Sequence, residues 1–375
     1  MYLPPSEHLA IDTLSGLFSD MSESYKLFWF NSILQGIARG NELQTFEEII
    51  NRMVVDAWYM VTEYHLNLGP SDGLEKLVHT VQAETGLPSN AKERDILLAL
   101  ENSDNKGIHD LKIRLIQHVP YRLQAPFMKD VKDMLWKQRT LLCERINGDD
   151  SLIYSIGKER GLANTIEIAP DWMDYLFVNN AIVSGWTELN LIKYLQRRNP
   201  SVPGLADKIR APEMRKLKKA KDFWSAVIDF TPVENIYIPG RIMTTEDLSL
   251  DHFVPWSFVA HDELWNLVPT TKAINSSKNN DLPNWDTYFP KLAEAEYKAY
   301  QSIWAADNIH DLFKRCEKEH VNSNEAMIGL YQQNIQRNDF IQHLDNLLRP
   351  TYQAAKNQGF TEWHPNILRV YQTSG

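Results

Sequence analysis

The sequence predicts a mainly α chain: a large helical N-terminal part, a small strand-and-helix module around residues 230–290, and a helical C-terminal tail. Three observations predict it. Apolar residues recur at helical spacing through the first half. The texture breaks at Asn199 into a stretch rich in Pro and Gly, followed by a short alternating apolar run. Helical periodicity then returns in "KLAEAEYKAYQSIW".

Taken in order, "SESYKLFWFNSILQGIARG" places Leu27, Phe30, Leu34 and Ile37 on one helical face and stops at Gly40. "TFEEIINRMVVDAWYM" opens with a capping box, Thr45 to Glu48, and puts Phe46, Ile49, Met53, Ala57 and Met60 on one face. "LEKLVHTVQAETG", "KERDILLALENS" and "MKDVKDMLWKQRTLLCERIN" continue the helical pattern. "NPSVPGLADKIRAP" reads as a linker or irregular crossing. A basic helix follows in "EMRKLKKAKDFWSAVID", ending on Phe223, Trp224, Val227 and Ile228. "ENIYIPGRIMTTEDLSLDHFVPW" then reads as two short strands around a turn at Pro239 and Gly240. "TTKAINSSK" is a short helix capped by Thr270 or Thr271. The expected organisation is a helical domain over 1–200 for partner recognition or regulation, a basic segment with the strand-and-helix module over 201–300, and a helical extension over 301–375.

Composition narrows the class. With 375 residues, 43% hydrophobic and 23% charged, the chain is long enough for a sizeable core, and its eleven Trp, fifteen Tyr and fourteen Phe argue against disorder. No apolar run is long enough to span a bilayer, and the first residues lack a basic-then-apolar leader pattern. The two cysteines, Cys143 and Cys316, supply neither a disulfide framework nor a four-thiolate zinc site, and a reducing cytoplasm is the simplest setting. A net charge of −10 disfavours a protein that coats nucleic acid with its whole surface. Residues 193–222 run against that balance, with ten basic side chains against three acidic ones, a net +7. Within them Arg210, Arg215, Lys216, Lys218 and Lys219 are the candidates for DNA contact.

The chemistry concentrates in residues 251–283, "DHFVPWSFVAHDELWNLVPTTKAINSSKNNDLP". An Asp–His pair, Asp251 and His252, is followed by Pro255, by Asn266 fourteen residues after the histidine, by Asn275 nine further on, and by Lys278 three after that. Asp251 and Asn275 offer hard oxygen ligands of the kind Mg²⁺ takes. A neutral imidazole is suited to accept a proton from water near neutral pH. Adjacent strand residues point to opposite faces, so the strand has to end or bend at the pair. Lys278 lies one helical turn from Asn275, on the same helix face.

This pattern resembles the HNH endonuclease motif, the ββα-metal nuclease fold, and its spacing is similar to that of the HNH domain of RNA-guided CRISPR effector nucleases. The resemblance implies His252 as the general base, Asp251 and Asn275 as ligands of Mg²⁺ (with Mn²⁺ as the alternative), Asn266 as the residue that holds the loop between hairpin and helix, and Lys278 as an aid at the phosphate. Many HNH proteins brace the hairpin with a zinc knuckle. The corresponding positions here are Ile236, Pro239, Thr271 and Ile274, so no structural zinc is expected and Ile236, Ile238, Trp265 and Ile274 should brace the module by apolar packing. The expected activity is metal-dependent hydrolysis of DNA, one strand per site, in the manner of bacterial antiviral defence effectors acting with other components of such a system. The rival readings are a DNA-binding or interaction protein with a vestigial HNH fold, and a sequence-specific restriction or homing endonuclease. Other motifs fall away. "SIGKERG" lacks the upstream Gly and following Ser or Thr of a phosphate loop, and Pro170–Asp171 lacks the downstream acidic–x–Lys of another nuclease signature.

Overall fold

A computed structural model describes residues 3–131, 135–210 and 217–365. Helices dominate it, and its contacts divide it into two compact units. The first comprises residues 1–200 and 208–211; the second comprises 201–207 and 212–375. Within the 199–212 stretch, expected as a linker or irregular crossing, the described residues Val202, Leu205 and Ile209 are buried.

In the first unit, α1 (Tyr25–Ala38) buries the Leu27, Phe30, Leu34 and Ile37 face together with Phe28 and Trp29. Helix α2 (Phe46–Thr62) starts at the expected capping box: Thr45 Oγ1 accepts from Glu48 N at 3.1 Å, and Glu48 Oε2 accepts from Thr45 N at 2.8 Å. Such a cap satisfies two orphan donors and contributes about 1 kcal/mol. To the helices expected in this half the structure adds a small antiparallel sheet. Strands β1 (Leu43–Thr45), β2 (Tyr154–Ile156) and β3 (Thr165–Ile168) pair in the order β1-β3-β2. Strands this short show too few alternations to be read locally, and they exist only because distant segments pair. Among the described residues, the pattern around "MKDVKDMLWKQRTLLCERIN" gives a 3₁₀ turn over Leu135–Lys137 and an α-helix over Arg139–Asn147.

In the second unit, α3 (Lys218–Phe230) buries Phe223, Trp224, Val227 and Ile228, as the pattern predicts. The hairpin is paired differently from the expectation. Across the Pro239–Gly240 turn only an isolated bridge, Glu234 to Ile242, forms. The ladder partner of β4 (Leu248–His252) is instead β5 (Leu267–Thr271), antiparallel, with Leu250 opposite Pro269 and His252 opposite Leu267. A proline inside "LVPTT" argues against a strand, but this sheet has two strands and Pro269 can turn its missing N–H outward. Thr271 caps α4 (Lys272–Lys278), its hydroxyl accepting from Ile274 N at 3.4 Å. Three longer helices follow: α5 (Trp285–Ala305), α6 (Asp307–His320) and α7 (Arg337–Asn357). They pack in the same unit as the hairpin. Backbone bonds from Leu282 N to Thr361 O (2.8 Å) and from Trp363 N to Leu282 O (2.7 Å) tie the end of the module to the chain beyond α7. The expected apolar brace residues Ile236, Ile238, Trp265 and Ile274 are all buried. No described helix is long and apolar enough to cross a membrane.

One buried acid in this unit gives a pH-dependent stability. Glu296, on α5, is buried, and desolvation raises its carboxyl well above the ordinary value of 4.5. The fold holds it neutral while the unfolded chain ionises it, so the native state binds more protons and stability falls as pH rises above 4.5. The slope is about 1.4 kcal/mol per pH unit until the folded carboxyl titrates. Glu296→Gln is expected to flatten this dependence. Thermal melts at pH 5 and pH 8 check it: the variant should gain in melting temperature at pH 8 and not at pH 5.

Candidate active site

The site is built where β4 ends. Phe253 N continues the ladder by donating to Asn266 O at 2.9 Å, and the chain then leaves the sheet until β5 begins. Asn266 closes that excursion. Its side-chain oxygen accepts from Val254 N at 2.8 Å and its amide donates to Val254 O at 2.9 Å, which copies a backbone pair with a fully buried side chain. The clamp lies in the connection from β4 to β5, within the stretch read from sequence as the loop between the Asp–His strand and the helix. Asn266→Ala strands a buried donor and a buried acceptor at about 1–3 kcal/mol each. Denaturant unfolding should record a loss of roughly 2–6 kcal/mol.

Asp251 and His252 are both buried, at 2% and 5% exposure, with different partners. The Asp251 carboxylate accepts from Tyr237 Oη at 2.5 Å and from Lys278 Nζ at 3.1 Å. Burial, and next the Asp251 charge, push the Tyr237 phenol well above its ordinary value, so it remains a donor. His252 Nε2 lies 2.8 Å from Asp262 Oδ1. Ending the strand at His252 resolves the geometric problem posed by two adjacent polar residues, since each side chain finds its own partners in the core.

Helix α4 supplies the other side. Asn275 donates its amide hydrogens to Leu250 O at 2.9 Å and to Ser249 Oγ at 3.0 Å. Both bonds use nitrogen, which leaves the carbonyl oxygen available beside the strand. Lys278 corrects the expectation of a phosphate-facing cation. It is 0% exposed, and its ammonium donates to Asp251 Oδ1 and to His252 O, the latter at 2.8 Å. The helix face was read correctly, but α4 lies so close to β4 that the lysine gives two of its three hydrogens to the strand.

The donor set has the chemistry of a hard-cation site. Among the described residues no group of three or more His, Cys, Asp or Glu could hold a metal ion. Asp251 and Asn275 do offer one carboxylate and one amide carbonyl. Each Asp251 oxygen accepts one bond, and a carboxylate has about four lone-pair positions, so capacity is left for a cation that keeps most of its water.

The described basic candidates divide between the two units. Arg210 belongs to the first unit and pairs with Glu188; Lys218 and Lys219 belong to the second and pair with Asp222 at 2.6 Å and Glu319 at 2.7 Å. Arg215 and Lys216 lie outside the described residues. Lys208, counted in the basic segment, is fully buried with its ammonium 6.0 Å from the Tyr64 ring centre. Surface pairs of this kind contribute about 0–1 kcal/mol, so those of Arg210, Lys218 and Lys219 can exchange for phosphate at little cost. Two site residues escaped the sequence reading. Tyr237 sits in an alternating apolar run with no local sign of its carboxylate partner, and Asp262 sits in a loop without periodicity.

A strand ending in Asp–His, its antiparallel partner, and a short helix carrying Asn and Lys against that strand define a ββα nuclease module. Residues 236–284 match the family model described as HNH endonuclease, and this stretch is an HNH endonuclease domain. Over 249 residues, 60% of this chain, the sequence is 23% identical to the CRISPR-associated endonuclease Cas9 of Listeria innocua serovar 6a. The chain covers 18% of that relative's length. No solved structure matches the chain.

Proposed function

We propose that the protein is a metal-dependent DNA endonuclease that nicks one strand at its HNH site. The observation that carries this reading is the convergence of Asp251, His252, Asn275 and Lys278 on the end of one strand, from segments 23 to 27 residues apart in sequence. Asp251 and Asn275 would hold Mg²⁺, with Mn²⁺ as the alternative. A bound cation would supply charge stabilisation at the phosphate. His252 accepts the proton of the attacking water as general base. Lys278 neutralises part of the Asp251 charge and fixes the His252 carbonyl, which keeps the pair in place. Asn266 holds the connection between β4 and β5.

Arg210, Lys218 and Lys219, with Arg215 and Lys216, are proposed to meet DNA phosphates, which makes affinity fall with salt. The similarity to a CRISPR-associated endonuclease supports a role in antiviral defence with further components, and the first unit is proposed as the part that recognises a partner or restrains cleavage. The test is supercoiled plasmid incubated with full-length protein in Mg²⁺ or in EDTA. Relaxed circles that appear only with the metal are expected. Plasmid left intact under every divalent cation tried overturns the reading in favour of a vestigial HNH fold, and discrete linear fragments favour a sequence-specific enzyme.

A further inference from the structure

The first unit holds a cavity of about 500 Å³, a size that takes small organic ligands, and no step of the proposed cleavage uses it. Two packed helices build its polar wall. Asn31 and Gln35 lie one turn apart on α1, opposite Asp56 on α2. Asn31 Nδ2 donates to Asp56 Oδ2 at 2.8 Å, and Gln35 Nε2 donates to Oδ2 at 2.8 Å and to Oδ1 at 3.0 Å. Gln35 is held in that orientation because its carbonyl oxygen accepts from Arg52 Nη1 at 3.1 Å. Among the described residues, those in contact with the Asp56 carboxylate are thus amides, with no ammonium or guanidinium in ion-pair contact. A carboxylate has about four lone-pair positions, so acceptor capacity is left. Asn31, having turned its nitrogen to Asp56, keeps its carbonyl oxygen as a further acceptor.

The rest of the lining repeats this bias toward acceptors. Ser184 and Thr187 donate their hydroxyl hydrogens within their own helix (Asn180–Arg198), to Asn180 Oδ1 at 3.3 Å and to Val183 O at 2.9 Å, and so present lone pairs. The charged lining residues are Asp56, Glu93, Glu188 and Arg210, three carboxylates against one guanidinium, and Arg210 is already paired with Glu188. Phe28 and Leu191 add apolar surface. Burial raises the Asp56 carboxyl above its ordinary value of 3.8, despite both amides and the more distant Arg52. We propose that this cavity is a binding site for an organic cation, a guanidinium or primary ammonium group on an apolar stem, seated against Asp56 and Asn31. The N–H groups of such a cation supply the donors and the charge that the wall lacks. A free alkylguanidine and an arginine side chain of a protein partner present this same chemistry. The inference stands apart from the nuclease reading, because no residue of the HNH domain lines the cavity.

The test is titration calorimetry on the full-length protein with n-butylguanidinium chloride and with n-butylurea, its uncharged counterpart. A buffer of about 0.15 M NaCl screens the acidic surface, which would otherwise attract any cation. The guanidinium should bind at a single site and the urea should not. Asp56→Asn keeps the size of the side chain and removes its charge, so a variant shown by its melting transition to be folded should bind the cation at least about tenfold more weakly. A second readout needs no change at Asp56. In ¹H–¹⁵N spectra of the wild type, the side-chain amide signals of Asn31 and Gln35, assigned by their loss in Asn31→Ala and Gln35→Ala, should shift with n-butylguanidinium and stay in place with n-butylurea. The blocked peptide acetyl-Ala-Arg-Ala-amide separates the sources: binding at least as tight as the free cation assigns the cavity to a protein side chain, and weaker or absent binding assigns it to a small molecule. No binding of n-butylguanidinium, an equal response to n-butylurea, undiminished affinity in the folded Asp56→Asn, or unmoved Asn31 and Gln35 signals overturns the proposal.

Discussion

His252→Ala is expected to leave supercoiled plasmid uncut under conditions in which the wild type relaxes it, a loss of at least about 10²–10⁴-fold in kcat. The imidazole sits at the last position of β4 and is nearly buried, so water does not substitute freely for its proton-accepting role. The substitution removes a ring that is bonded to Asp262, but it leaves the Asp251, Tyr237 and Lys278 contacts intact, because Lys278 bonds to the backbone carbonyl at 252 and not to the side chain. Fold and DNA affinity should therefore persist while turnover is lost. Gel-resolved plasmid cleavage, paired with fluorescence anisotropy on a labelled duplex, separates the two. Cleavage at the wild-type rate would remove His252 from the mechanism.

The second large effect is on stability. Lys278→Met is expected to destabilise the second unit by about 3–5 kcal/mol, because it leaves the buried Asp251 charge with Tyr237 as its remaining partner and strips a donor from His252 O. Breaking one side of a buried pair costs far more than replacing both sides with apolar groups, so Lys278→Met combined with Asp251→Leu should recover most of the loss. Thermal melts of the two single variants and the double variant form the cycle that measures the coupling. A single variant that melts within a degree or two of wild type would show that the ion pair contributes nothing to the fold. For a unit of this size the expected drop is roughly 6–20 °C.

The sequence and the structure meet most closely where information is local. The stripe of α1, the Thr45–Glu48 capping box of α2 and the Thr271 cap of α4 need only neighbours within one or two turns, and each forms as its pattern implies. The Asp–His pair, Asn266, Asn275 and Lys278 were singled out by the resemblance that their spacing carries, and β4 with α4 brings Asp251, His252, Asn275 and Lys278 to one strand end. What escaped notice is non-local. The partner of β4 is the proline-containing β5, and the site's Tyr237 and Asp262 belong to an apolar run and a loop that carry no periodic signal.

By itself the sequence determined the helical class, the placement of the module and the residue types that end its first strand, because periodicity and capping are set by side chains close along the chain. Only the tertiary structure decided what those residues touch. Lys278 turns inward because α4 packs against β4, at a distance no spacing rule predicts. His252 acquires a carboxylate partner because a loop anchored by His320 and Asn322 is folded back beside it. Helical and strand periods specify a face; packing distance determines whether a charged group on that face meets solvent, a phosphate or another side chain.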